Sequence, residues 1–98
     1  MKKKKIYLSG KITGLEQLEY ELIFDLAEII AIEEGFEPVN PVKLNHNHDK
    51  TWASYMKHDI KAMMDCDAIL MIPNWSNSKG ATTELELAYK LEMEVIYA

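Results

Sequence analysis

The sequence is short of the features that most readily announce a function. It contains one cysteine, Cys66, so no intrachain disulfide can form and a secreted disulfide scaffold is excluded. Cys66 stands in "DCDAILMI", where a strand begins, and reads as a small buried hydrophobe. No apolar run approaches the roughly 18 residues of a membrane span, and nothing resembles a signal peptide, so the expectation is a cytoplasmic chain without membrane contact. Positive charge is scarce: the formal net charge is -5, and the only basic run, Lys2 to Lys5, reads as a solvated terminus. That balance argues against a nucleic-acid polymer as partner. Walker and Rossmann glycine patterns are missing, as are linkers, repeats and low-complexity segments. A chain of 98 residues, 48% hydrophobic and 28% charged, therefore forms one globular domain, 1–98, with much surface for its core.

What the sequence does have is alternation. "KIYLSG" gives a first strand, Lys5 to Ser9, ended by Gly10. Leu18, Leu22, Ile23, Leu26, Ile29, Ile30 and Ile32 then recur at helical spacing until Gly35. "FEPVNPV" is a short strand broken by prolines, and "TWASYMKHDIKAMMDC" winds with Trp52, Met56, Ile60 and Met63 on one stripe. "DAILMIPN" is the kind of strand buried on both faces. A helix from Gly80 to Leu91 and a last strand, "EVIYA", complete the order βαβαβαβ. Right-handed crossovers make this a three-layer α/β domain, flavodoxin/Rossmann-like, with a four-stranded parallel sheet in the order 2-1-3-4. The switch point falls between the first and third strands, where ligands bind beyond the strands' carboxyl ends.

Two carboxylates sit on the wrong faces of their helices. Winding "SKGATTELELAYK" at about 100° per residue puts Glu86 with Lys90, and Glu84 among Ala81, Leu87, Ala88 and Leu91. In the first turn the helix dipole favours an anion while burial disfavours it. A capping box would need Ser or Thr three residues before Glu84 and finds Ala81. Asp59 repeats the anomaly, falling between Trp52, Met56 and Met63 rather than with Lys57 and Lys61. Two acids converging on one end of a sheet fit glycosyl chemistry, in which one carboxylate attacks a cationic sugar centre and a second group assists.

"KIYLSG", "TWASYMKHDI", "CDAILMIPNWSNSKGA" and "TELELA" together resemble the nucleoside 2-deoxyribosyltransferase superfamily, nearest to a small bacterial and phage branch of it, over nearly the whole chain. The resemblance implies a nucleophile at Glu84, from the Glu-Leu-x-x-Ala helix start, a tyrosine at Tyr7 that holds it, and an aspartate at Asp59 that faces the nucleoside. The transferases carry a further aspartate about six residues before the nucleophile, where this chain has Asn77 or Ser78, groups that bind a hydroxyl and donate protons poorly. Larger relatives complete the pocket with a C-terminal portion beyond the fourth strand, often across a subunit interface, so a homo-oligomer is expected.

The remaining candidates surround the switch point. Ser9, Gly10 and Lys11 are placed to hold a phosphate, set against an ordinary strand-to-helix turn. Trp75 is the better platform for a nucleobase, Trp52 lying on the core stripe. Asn77, Ser78 and Gly80, in the loop and glycine turn that open the third helix, are further ligand contacts. His46, His48 and Asp49 form an H-x-H-D cluster without a third ligand at familiar spacing and read as a solvated loop, with His58 in solvent beside Lys57 and Lys61. The expectation is an enzyme that cleaves or transfers the N-glycosidic bond of a nucleoside or nucleotide, with no metal or organic cofactor. The alternative is a protein that binds a nucleotide-derived ligand without cleaving it.

Overall fold

The computed structural model describes residues 2–98. Seven elements follow one another: β1 (Lys5–Ser9), α1 (Gln17–Glu33), β2 (Glu37–Val39), α2 (Trp52–Met63), β3 (Ala68–Met71), α3 (Lys79–Lys90) and β4 (Glu94–Tyr97). Short 3-10 turns at Pro41–Lys43 and Trp75–Asn77 lead towards α2 and α3. All strand pairs are parallel, and the sheet order is β2-β1-β3-β4, as the crossovers required. Among the described residues no helix is long and apolar enough to cross a membrane.

The pleat of β1 divides the core. Ile6 and Leu8 point towards α1 and pack with Phe24, Ala27 and Ala31, whereas Tyr7 lies with Met63, Ala81, Leu85 and Ala88 under α2 and α3. β3 is buried along its whole length, which is why it reads as an unbroken apolar run. Ser9 shares the Tyr7 face, two residues on, so β1 presents two hydroxyls side by side to α3.

Local chemistry sets the helix ends. Gly35, at φ +90°, closes α1: its N–H donates to Ile32, and the Phe36 N–H donates to Ala31. At the end of α3 the same pair of bonds forms from Glu92 to Tyr89 and from Met93 to Ala88, but the left-handed position is held by Glu92 at φ +57°. Ser78 caps α3, its Oγ accepting from the Ala81 N–H at 3.1 Å, so α3 starts one residue earlier than expected. Gly10 has no room for a side chain, because a Cβ there would stand 2.9 Å from Ile72 Cβ.

α1 departs from the expected picture. Its most buried residues are Phe24, Ala27 and Ala31, while Leu18, Leu22, Leu26, Ile29 and Ile32 of the apolar series stand 52–81% exposed. With leucine and isoleucine distributed around the helix, spacing alone could not say which side faces the sheet.

Candidate functional site

A cavity of about 730 Å³ opens beyond the carboxyl end of β1, between the N-terminal parts of α2 and α3 and the loops after β1 and β2. This is the switch-point crevice of a doubly wound sheet. Glu84 and Asp59 both line it.

Glu84 is only 4% exposed, and β1 supplies its partners. The Tyr7 hydroxyl donates to Oε2 at 2.8 Å, and the Ser9 hydroxyl donates to Oε1 at 2.7 Å. Each oxygen of the carboxylate therefore receives one short, charge-assisted bond from a residue of the same strand face. Because Ser78 caps the helix, Glu84 lies in the second turn, past the free N–H groups that the first turn would have offered. Burial pushes its carboxyl up to about 7, against the lowering effect of the Ser9 and Tyr7 bonds and with a further push from the charge of Asp59. The Tyr7 phenol is raised well above its ordinary value, by burial first and then by Glu84, so it stays a neutral donor.

Asp59 reaches the cavity from α2, and burial pushes it up to about 7. Its Oδ1 is buried without a hydrogen-bond partner in the described residues. The nearest cationic candidate, His46 Nε2, is 4.0 Å away and already 3.0 Å from the Pro41 carbonyl oxygen. A buried carboxylate oxygen with no partner is costly unless something in the cavity meets it.

Gly10, Lys11, Asn77, Ser78 and Gly80 line the cavity. Two expected contacts are elsewhere. The Ser9 hydroxyl is committed to Glu84, so its place is behind the carboxylate and not against a phosphate. Trp75 packs with the core beneath α3 and stands 6.1 Å from the Tyr97 ring, whereas Trp52, read as core, is 42% exposed and lines the cavity. Lys79 Nζ sits 4.0 Å from the Trp52 ring centroid and joins the starts of α2 and α3 across the mouth. The Lys11 N–H is held by Asn74 Oδ1 at 2.9 Å, which leaves the Lys11 side chain for any anion.

Sequence reasoning missed Tyr20, Tyr55, His46 and Lys50 in the lining. Tyr55 lies one helical turn before Asp59, a spacing that could have marked it. His46 and Lys50 come from an irregular loop, where no periodicity exists to read.

A family model described as "Domain of unknown function (DUF4406)" matches residues 4–97. The chain belongs to the DUF4406 family. A search of curated proteins returns no match. The matched stretch, from Lys4, the third residue of the KKKK run, to Tyr97, includes every element that builds the cavity.

Proposed function

We propose that this DUF4406 domain is an N-glycosidic enzyme acting on a nucleoside or nucleotide, with Glu84 as nucleophile. The observation that carries the reading is a buried carboxylate on a cavity wall, each oxygen held by one hydroxyl of β1. Such an arrangement fixes direction: the carboxylate loses rotational freedom and presents its remaining lone pairs to one place. The carboxylate attacks the anomeric carbon, and the base leaves with the electron pair of the C–N bond. Water or a second base then attacks the glycosyl ester and frees Glu84. Asp59, with its unpartnered Oδ1, contacts the sugar or the base. Trp52, Tyr20 and Tyr55 supply flat apolar walls for a nucleobase, and Lys11 reaches a phosphate when one is present. The likeness of the quoted motifs to nucleoside 2-deoxyribosyltransferases supports the same assignment of Glu84, Tyr7 and Asp59. The reaction as written uses no metal and no organic cofactor, and it suits a reducing cytoplasm.

A second reading is favoured by one feature. Asn77 and Ser78 stand where the transferases have an aspartate, so a dedicated proton donor to the leaving base is missing at that place. The same cavity would then hold a nucleotide-derived ligand intact.

Incubation with a panel of nucleosides, deoxynucleosides and their 5′-monophosphates, followed by chromatography for free base, separates the two. Base release that disappears in Glu84→Gln supports the enzyme. Saturable binding with the ligand recovered intact supports the binding protein.

We also propose that the chain works as a homo-oligomer, since the exposed apolar stripe of α1 is the face a second copy would cover.

A further inference from the structure

Three histidines meet beside the cavity. His46 and His48 come from the loop before α2, and His58 from α2 itself. Their ring centroids are 5.0 Å apart for His46 and His48, 4.8 Å for His46 and His58, and 5.2 Å for His48 and His58. The chain fold thus supplies the third histidine that sequence spacing had left in solvent.

Proton positions on the first two rings follow from their partners. His46 Nε2 lies 3.0 Å from the Pro41 carbonyl oxygen, which can only accept, so Nε2 carries the proton. His48 Nδ1 faces the Asp49 carbonyl oxygen and must donate for the same reason. A neutral imidazole has one N–H, so the other nitrogen of each ring bears a lone pair. Those two nitrogens, His46 Nδ1 and His48 Nε2, stand 2.9 Å apart and face each other. Two lone pairs at that distance repel, and a positive centre between them removes the repulsion.

We propose that His46 Nδ1 and His48 Nε2 bind one divalent transition-metal ion of the zinc class, with His58 closing on it as a third ligand.

Four observations fit such an ion. Neutral imidazole is the ligand that zinc, copper and nickel share. Ligating histidines characteristically donate their other N–H to a carbonyl or carboxylate, as both rings do here. Nitrogens 2.9 Å apart can each reach one ion at about 2.05 Å with an angle near 90°, and opening the pair by a few tenths of an ångström gives tetrahedral zinc. Three imidazoles around a tetrahedral zinc have ring centroids about 5 Å apart by the same bond length, which is the separation of these three rings. Among the described residues no three His, Cys, Asp or Glu side chains are already closed around one point. His58 therefore completes the set by turning its ring on the half-buried face of α2. The ion would tie the loop that carries His46 and Lys50 to α2, and so hold one wall of the cavity in place.

The test uses the untagged chain and zinc alone, at neutral pH, by calorimetry and thermal unfolding. The expected result is one zinc per chain, a midpoint that rises with added zinc, and affinity reduced by at least about 10-fold in His48→Gln. His58→Gln should weaken binding as well, and circular dichroism checks that both variants fold. Imidazole nitrogen spectra provide the second readout, since zinc should displace the His46 and His48 signals together. The proposal is overturned if zinc does not bind saturably, or if His48→Gln binds it as well as the parent. It is equally overturned if the two imidazoles respond to pH but not to zinc, because the bridge then holds only a proton.

Discussion

Burying Glu84 makes the stability of the fold depend on pH with a definite sign. Its carboxyl ionises near 7 in the folded chain and near 4.5 when unperturbed. Below the lower value both states keep the proton. Between the two values the unfolded carboxyl ionises while the folded one stays neutral, so stability falls as pH rises. The loss is complete above 7, at about 3 kcal/mol by linkage. Glu84→Gln removes that dependence while keeping the shape. Its thermal midpoint should exceed the parent's at pH 8 by roughly 12–24 °C and should match it at pH 4; an equal shift at both values would mean that desolvation of the charge is not the cause. Tyr7 acts in the opposite direction, because its hydroxyl lowers the Glu84 value by donating to it. Tyr7→Phe should therefore move the acid limb of the pH profile for base release upward, by about one unit for one lost charge-assisted bond. A profile that keeps its limb and loses only height would make Tyr7 a packing residue.

At the level of elements, the two helix ends closed in the same way differ by one residue. Gly35 takes the left-handed position after α1 at no steric cost, while Glu92 takes it after α3 at φ +57°. Glu92 is exposed, so Glu92→Gly should relieve the backbone without disturbing a contact and raise stability by about 0.5–1 kcal/mol. Urea unfolding reads this as a higher midpoint at unchanged slope; a lower midpoint would show that the unfolded-state entropy of glycine outweighs the strain. The same two helices show what sequence can and cannot disclose. In α3 the few apolar residues leave one face, and Glu84 stands out against Ala81, Leu85 and Ala88. In α1 leucine and isoleucine occupy most of the circumference, and the buried face is marked only by Phe24 and two alanines, small residues that let the helix approach the sheet. The hydroxyl that Ser9 gives to Glu84 was legible as a position on β1 but not as a partner, since that contact joins residues 75 apart in sequence.

For the whole molecule, strand order followed from alternation and handedness, and the switch point followed from strand order. The far wall of the cavity did not follow, because the loop bearing His46 and Lys50 is positioned by contacts such as His46 with Pro41 that no period encodes. The outer face of α1 exposes a series of leucines and isoleucines, with a groove of about 160 Å³ lined by Ile23, Leu26, Ile30, Ile72, Pro73 and Ala98 beside it. Light scattering should give a multiple of 11.3 kDa for the parent and 11.3 kDa for the double change Leu22→Glu and Ile29→Glu; a monomeric parent would leave the stripe without the partner assigned to it. The claim that Glu84 attacks the sugar is tested most directly by the mass of the intact chain after incubation with nucleosides fluorinated at sugar C2, a substituent that slows breakdown of a glycosyl ester. The account predicts a chain heavier by one fluorosugar, with the added mass on the peptide that contains Glu84 and none in Glu84→Gln. Base released while every chain keeps its original mass, or a sugar attached at another residue, would contradict it.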